Sequence, residues 1–166
     1  NLLPVKGSDR LIKIIPQILD KIPDAEFIII GDGVLRTRIE QKLSGFPVQF
    51  LGRLEPKLVS RYMNMMDVLL VPSRNEGFPC VVKEAQACGT VVVGSDVGGI
   101  KDAIGNGGIA VPYIQNEDEF VRKFSDLTIR ILKNEIAIDI KQMLTDVKKY
   151  SWYELQKKTL EMYKET

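Results

Sequence analysis

This sequence of 166 residues contains no histidine and only two cysteines. The absence of histidine excludes histidine general bases, Ser–His triads and histidine metal sites from this chain. Cys80 and Cys88 lie in one short stretch without the spacing of a metal site. This sparse use of cysteine is typical of a reduced, cytoplasmic setting.

An excess of charge of one sign and long apolar runs are also lacking. The 23 basic and 22 acidic residues are interspersed, so we expect no nucleic acid partner. No apolar run approaches the roughly 20 residues that span a bilayer, so no transmembrane segment is expected. The length suffices for one domain with its own core. Because the sequence opens with Asn1 and shows no signal peptide, we expect a fragment of a larger protein.

What the sequence does contain is a regular alternation of short β-branched runs and amphipathic segments. This pattern predicts an α/β fold: one doubly wound domain over 1–166, with a mostly parallel, Rossmann-like sheet of about five strands, helices on both faces and extra C-terminal helices. The predicted strands are 26–30, 48–51, 68–71, 91–94 and 108–111. The predicted helices are 9–21, 34–43, 56–65, 79–88, 101–104, 118–133, 136–150 and 152–164.

Single residues are expected to shape the ends and the course of these helices. Ser8 is predicted to cap the first helix, and Pro16 to kink or split it. Ser151 is predicted to cap the last helix, where Trp152, Tyr153 and Leu155 would form an apolar face.

The most informative segment runs from Glu76 to Glu84 and follows the predicted strand 68–71. Pro79 suits the first turn of a helix, so Glu76 should lie in the loop and Glu84 about one turn into the helix. Both carboxylates would then point toward the carboxyl edge of the sheet, where open α/β folds bind ligands. Carboxylates beside a helix N-terminus suit a ligand with hydroxyls and phosphate, such as a sugar nucleotide.

Two glycine-rich turns and one arginine lie at predicted strand ends. Gly31-Asp32-Gly33 lacks the third glycine of a dinucleotide fingerprint, because Arg36 stands there; Gly33 allows the close approach of a ligand or simply makes a tight turn. Gly98-Gly99 is either an anion-binding nest or, the favoured reading, a turn that needs positive φ. Arg53 is either near a ligand or an ordinary solvated charge.

Several short motifs occur in a fixed order along almost the whole chain. They are Lys6-Gly7, Gly31-Asp32-Gly33, Phe50-Leu51-Gly52, Glu76-Gly77-Phe78-Pro79 with Glu84-Ala85 and Gly89, Val97-Gly98-Gly99, Ser151-Trp152 and Tyr163. This ordered set resembles the C-terminal, donor-binding domain of group 1 (family four) glycosyltransferases, whose two Rossmann-like domains face each other across a cleft in the GT-B architecture.

The resemblance implies a retaining transfer of a sugar from a UDP- or GDP-linked donor to a hydroxyl acceptor, without a metal ion or other cofactor. It implies that Lys6 neutralises the donor diphosphate, that Glu84 accepts hydrogen bonds from the ribose and that Glu76 lies near the transferred sugar. Lys6 and Glu76 are thus the implied catalytic residues. The implied donor-binding residues are Gly7, Gly33, Arg53, Leu54, Gly77, Phe78, Pro79, Cys80, Val81 and Glu84.

The sequence also departs from the family pattern. The first strand with its arginine and the N-terminal, acceptor-binding domain are absent, and Asp102 stands where a glutamate is usual. We therefore expect the fragment to bind donor weakly, with the absent domain as its partner and a glycan or lipid as the acceptor. That domain would also carry any peripheral membrane contact.

Two other classes of protein are also compatible with the sequence. One is a non-catalytic, Rossmann-like module that only binds a nucleotide. The other is a sugar-nucleotide epimerase of the same architecture, which the absence of histidine makes less favourable.

Overall fold

Strands and helices alternate through the part of the chain that the computed structural model describes, residues 1–151, 153, 154 and 156. The strands are β1 (Phe27–Ile30), β2 (Val48–Gly52), β3 (Val68–Val71), β4 (Val91–Ser95) and β5 (Gly108–Val111). The helices are α1 (Leu11–Lys21), α2 (Arg36–Lys42), α3 (Pro56–Met63), α4 (Cys80–Ala87), α5 (Ile100–Ile104), α6 (Glu117–Leu132) and α7 (Ile140–Val147). Short 3-10 turns lie at Pro4–Lys6, Ser8–Arg10 and Lys148–Tyr150.

All strand pairs are parallel, as the β-branched runs predicted. β1 pairs with β2, and β4 lies between β3 and β5. Within the described residues no ladder joins β1 to β3, so the strands form two groups instead of one continuous sheet. The predicted class, an α/β fold with about five parallel strands, is confirmed. The expectation that a further strand precedes these residues in the intact protein stays a prediction.

Helices cover both faces of the β3–β4–β5 group. Adjacent residues of a strand point to opposite faces, so Val93 and Val92 enter different cores. Val93 packs with α1 and α6, where Phe120 and Phe124 are almost fully buried. Burial of each such ring contributes about 2–3 kcal/mol. Val92 packs with α4 and α5 on the other face. A third cluster joins α1 and α2 to β1.

Two local predictions about helix ends need correction. Ser8 does not cap α1 but begins a buried 3-10 turn, and α1 starts at Leu11 without a side-chain cap. Pro16 lies inside α1 and does not split it, while the alternative, a kink, stays a prediction. Pro79 is the residue before α4 rather than its first residue, and its carbonyl accepts a hydrogen bond from Val82.

One of the C-terminal helices is shorter than the periodicity suggested. The predicted helix 136–150 starts only at Ile140, because Asp139 caps α7 by accepting a hydrogen bond from the Gln142 N–H at 3.0 Å. Ser151 Oγ accepts from the Glu154 N–H at 3.3 Å, in keeping with its predicted capping role. Most of the predicted helix 152–164, with Trp152, Leu155 and Tyr163, lies outside the described residues. Among the described helices, none is long and apolar enough to cross a bilayer.

Candidate functional site

The candidate site lies at the carboxyl edge of the strands, because parallel strands present these ends on the same side. Gly31–Gly33 follow β1, Arg53 follows β2, Pro72–Pro79 follow β3 and Asp96–Gly99 follow β4. The 3-10 turn Pro4–Lys6 lies against the loop after β3, where Val5 O accepts a hydrogen bond from the Arg74 N–H at 2.8 Å.

Lys6 and Glu76, which are 70 positions apart in the sequence, form an ion pair at this edge. Lys6 Nζ donates a hydrogen bond to Glu76 Oε2. The Glu76 side chain is only 14% exposed, whereas that of Lys6 is 35% exposed. The Lys6 side chain therefore stays partly open to solvent while the carboxylate orients its ammonium. The structure thus brings together the two residues that the resemblance implied to be catalytic.

Gly7 allows the turn that carries Lys6 to approach the loop after β3. Its φ is +61°, a conformation that favours glycine, and a Cβ atom here would lie 1.8 Å from the Pro72 carbonyl oxygen. A side chain at this position would force the two backbones apart. The predicted importance of Gly7 thus has a structural basis, and contact with a donor stays a prediction.

Gly98 and Gly99 support the Glu76–Gly77 backbone from the other side. Gly98 has φ +54°, and a Cβ atom there would lie 1.7 Å from the Glu76 carbonyl oxygen. The Gly99 N–H donates to the Gly77 carbonyl at 2.8 Å. This amide is therefore already used within the protein and is not free to hold an anion. The favoured reading, a turn that needs positive φ, holds for Gly98 but not for Gly99, whose φ is −88°.

Helix α4 presents its first turn and Glu84 at the surface. Cys80, the first residue of the helix, and Glu84, one turn later, are both exposed. The N–H groups of Cys80 and Val81, the first two helical residues, have no acceptor within the helix and can meet a ligand, whereas the Val82 N–H donates to the Pro79 carbonyl at 3.0 Å. Phe78 is 49% exposed and stacks on Tyr150 with the ring centres 5.9 Å apart.

The remaining predicted site residues, Gly33, Arg53 and Leu54, and the variant position Asp102 lie away from the Lys6–Glu76 pair in the sequence, and their surroundings differ. The backbone that comes close to Gly33 is that of Leu2, whose carbonyl oxygen would lie 2.4 Å from a Cβ atom at this glycine. The close approach therefore has a structural explanation, and a ligand contact at Gly33 stays a prediction. Arg53 is exposed and Leu54 is half-buried. Asp102 lines a cavity of about 180 Å³ with Lys83 and Asp146.

A network of two arginines and two carboxylates lies behind the Lys6 turn, and the sequence reading did not find it. Glu117, the first residue of α6, accepts hydrogen bonds from Arg10 at 2.8 and 2.9 Å and from Arg74 at 2.6 Å. Arg74 also makes a bidentate pair with Asp9 at 2.7 and 2.9 Å. A possible signal was Arg10, a charge next to the apolar face of the first helix.

These pairs shift the pKa values of both carboxylates. The hydrogen bond from Arg10 lowers the pKa of Glu117, assisted by the charges of Arg10 and Arg74, although partial burial acts in the opposite direction. Burial raises the pKa of Asp9, but the hydrogen bond and charge of Arg74 outweigh it, so that the pKa is lowered overall. Both groups therefore favour the ionised form in the folded protein.

The Glu117 pair should make stability depend on pH. Its pKa in the folded state lies below the ordinary value of 4.5, so its contribution is complete above about pH 4.5 and is lost as the pH falls through the folded pKa. We expect Glu117→Gln to lower the free energy of unfolding at pH 7 by about 1–2 kcal/mol, because the carboxylate is 41% exposed but its partner Arg10 is only 8% exposed. Urea titrations should show that the free energies of unfolding of the wild type and the variant converge as the pH falls below about 4. A difference that stays constant with pH would contradict the assignment, and Glu119→Gln, at an exposed neighbour, is the control.

Comparison with known proteins shows the family. The family model described as "Glycosyl transferases group 1" matches residues 1–130. The GPI3 subunit of phosphatidylinositol N-acetylglucosaminyltransferase from Saccharomyces cerevisiae is 30% identical over 167 residues, covering 98% of this chain and 36% of that protein. The GDP-mannose-dependent monoacylated alpha-(1-6)-phosphatidylinositol monomannoside mannosyltransferase of Corynebacterium glutamicum is 33% identical over 145 residues, covering 81% of this chain and 37% of that protein.

Solved structures share the fold. The pneumococcal O-GlcNAc transferase GtfA, in complex with UDP and GlcNAc, matches with a TM-score of 0.82 at 23% identity, covering 99% of this chain and 34% of that one. WaaG, a glycosyltransferase involved in lipopolysaccharide biosynthesis, matches with a TM-score of 0.65 at 19% identity, covering 90% and 39%. The chain belongs to the group 1 glycosyltransferase family, so the family predicted from the sequence is confirmed. It spans little more than a third of the length of the yeast and Corynebacterium relatives.

Proposed function

We propose that this chain is the nucleotide-sugar-binding half of a retaining, metal-independent glycosyltransferase. The whole enzyme would move a sugar from a nucleoside-diphosphate sugar to a hydroxyl acceptor. The observation that carries the proposal is the pairing of Lys6 with Glu76 at the carboxyl edge, next to the loop that leads into α4. A cation, a carboxylate and helix N-terminal amides at one edge match the charged and hydroxyl groups of such a donor.

In this proposal Lys6 acts on the leaving group. As the bond between the sugar and the diphosphate breaks, negative charge grows on the diphosphate, and an ammonium fixed nearby stabilises that charge. Glu76 holds the ammonium in place before the donor binds. No proton transfer by histidine is needed, because the enzyme mainly positions the donor and stabilises the departing diphosphate.

The other contacts would hold the two ends of the donor. Glu84 is exposed on α4 and would accept hydrogen bonds from the ribose hydroxyls. The Glu76 carboxylate would accept hydrogen bonds from the sugar hydroxyls. The backbone N–H groups between Gly77 and Val81, except at Pro79, would contact the sugar or a phosphate. Arg53 and Leu54, after β2, would lie near the nucleobase, with UDP and GDP as the donor nucleotides to test. Neither the nucleotide-binding module nor the epimerase is favoured by the comparisons.

The partners follow from the share of the relatives that this chain spans. A second, acceptor-binding domain of the same enzyme would face the carboxyl edge. Two relatives are named for phosphatidylinositol-containing acceptors, which favours a lipid-linked acceptor over a free glycan and would bring the second domain to a membrane surface. The free thiols of Cys80 and Cys88 suit the reducing cytoplasm.

Glu84→Gln is expected to weaken nucleotide binding about tenfold, because a neutral amide accepts weaker hydrogen bonds from the ribose than a carboxylate does. The melting temperature should hardly change, since the side chain is exposed. Calorimetric or NMR titration with UDP and GDP measures the first effect and thermal unfolding the second. A large loss of stability with unchanged binding would instead give Glu84 a structural role. Glu119→Gln, another exposed glutamate, is the matched control.

Product analysis tests the proposed reaction. The complete protein that contains this chain is incubated with UDP- and GDP-linked sugars and a lipid-linked acceptor. We expect free nucleoside diphosphate and a glycoside that keeps the anomeric configuration of the donor. An epimerised nucleotide sugar would favour the epimerase, and inactivity with every donor would favour a binding module. The 166-residue chain alone should transfer little or no sugar. Robust transfer by it would contradict the proposal that a second domain binds the acceptor.

A further inference from the structure

Lys6 and Glu76 are carried by two segments that no strand pairing joins. The Lys6 turn precedes α1, and Glu76 lies in the loop after β3. Their backbones are linked directly by hydrogen bonds from the Arg74 and Asn75 N–H groups to Val5 O, at 2.8 and 3.3 Å. Two such bonds leave open how the relative position of the two side chains is fixed.

Arg10 supplies a second and more buried connection between these segments. Its side chain is only 8% exposed, and its guanidinium lies 4.1 Å from the centre of the Phe120 ring. Nη1 donates to the carbonyl oxygens of Pro72 at 2.8 Å and Ser73 at 3.3 Å. Arg10 is four residues after Lys6 in the chain. Its guanidinium therefore links the Lys6 segment to the start of the loop that leads to Glu76.

Glu117 completes this connection from α6. It accepts hydrogen bonds from Nε and Nη2 of Arg10, so the guanidinium is held in a bidentate pair on one side and by the loop carbonyls on the other. Arg74, inside the same loop, donates to Glu117 as well as to Asp9 and to Pro4 O at 2.8 Å. One carboxylate on a long, well-packed helix thus fixes both the Lys6 segment and the Glu76 loop.

On the basis of the proposed function, we propose that Arg10 and Glu117 are positioning residues that set the Lys6 ammonium opposite the Glu76 carboxylate. They do not touch the donor themselves. A lysine at position 10 cannot reproduce the planar, bidentate geometry of the Arg10 guanidinium. Its single ammonium can pair with Glu117 or with the Pro72 carbonyl but cannot span both. Arg10→Lys should therefore recover only part of what Arg10→Met loses.

The first test needs no ligand. The carbon-13 and proton signals of the Lys6 ε-methylene are recorded by NMR in the 166-residue chain, with Glu76→Gln as the reference for a broken pair. We expect Arg10→Met and Glu117→Gln to shift the Lys6 signal toward that reference. Lys13→Met removes an equal charge from an exposed ion pair on α1 and should leave the signal in place. An unchanged Lys6 signal in folded Arg10→Met and Glu117→Gln would overturn the proposal.

The second test is a double-mutant cycle on the binding of UDP and GDP. Arg10→Met is expected to weaken binding about tenfold when Lys6 is present and less than about twofold in a Lys6→Met background, because Arg10 acts through Lys6. Equal weakening in both backgrounds would mean that Arg10 affects binding independently of Lys6, and would overturn the proposal. If Arg10→Met does not fold, Glu117→Gln at the half-exposed partner serves in the same cycle.

The two tests separate the failure of this inference from that of the proposed function. If the wild-type chain and the complete protein bind neither nucleotide, the donor site is refuted, while the ligand-free Lys6 signal still decides whether Arg10 positions Lys6. If the wild type binds but the cycle shows no coupling, the positioning role is refuted and the donor site stands.

Discussion

Replacing Lys6 with methionine is expected to lower the rate of sugar transfer by the complete enzyme about 100-fold, the size typical for loss of one group that stabilises charge in the transition state. Methionine keeps an unbranched side chain, one atom shorter, and removes the charge and the hydrogen bond to Glu76. Because Lys6 is 35% exposed but its partner Glu76 only 14%, the loss of the pair should lower the free energy of unfolding by about 1–2 kcal/mol. Steady-state kinetics on purified wild-type and variant enzymes, with thermal unfolding alongside, give both quantities.

The size of this effect distinguishes Lys6 from an ordinary surface lysine. Lys13→Met, which breaks an exposed ion pair with Asp118, is the matched control and should leave the rate unchanged. The loss should appear in kcat more than in KM if Lys6 acts mainly on the departing diphosphate. A Lys6→Met enzyme that keeps its full rate would remove Lys6 from the mechanism.

The second large effect is expected on the stability of the fold. Gly98→Ala should lower the free energy of unfolding by on the order of 3 kcal/mol or more, through a positive φ that alanine adopts poorly and a clash with backbone that has little room to move. The new Cβ atom would lie 1.7 Å from the Glu76 carbonyl oxygen. Chemical denaturation of the purified chain measures this loss.

Gly45 separates the two causes of the expected loss. It also has positive φ, +86°, but a Cβ atom there has no neighbour within 4 Å. Gly45→Ala should therefore cost only the conformational part, about 1–2 kcal/mol. Equal losses at Gly98 and Gly45 would show that the contact with the Glu76 backbone contributes nothing. In a Gly98→Ala chain that still folds, the displaced Glu76 loop should also weaken nucleotide binding.

The fold was predictable because its signals are local. Each strand is a short, mostly apolar run that ends at a glycine, a proline or a charged residue, as in Val68–Val71 before Pro72. The helix ends were less predictable: Ser8 is a good capping residue by type, yet the chain makes a 3-10 turn there because Gly7 takes a left-handed conformation against Pro72. Tertiary contact therefore decided against the local preference.

The candidate site was predictable only in part. Lys6, Glu76 and Glu84 stood out through motifs, and the structure places the first two in contact. The supporting residues carry no such signal, since the pairing of Arg10 with Glu117 joins positions 107 apart in the sequence. The role of Gly99 was equally hidden, because its N–H is taken by the Gly77 carbonyl rather than left free for an anion.

The central claim is that the carboxyl edge beside Lys6 and α4 binds a nucleoside-diphosphate sugar. The most direct test is an NMR titration of the labelled chain with UDP, GDP, ADP, the common sugar nucleotides of each, and NAD. NMR is chosen because it detects binding even when the dissociation constant is millimolar. We predict shifts at Lys6, at Arg53 and between Glu76 and Glu84 with one nucleotide and not with NAD. Shifts centred on Gly31–Gly33 with NAD would contradict the claim. So would unchanged signals of Lys6, Arg53 and Glu76–Glu84 with every nucleotide, in both the chain and the complete protein.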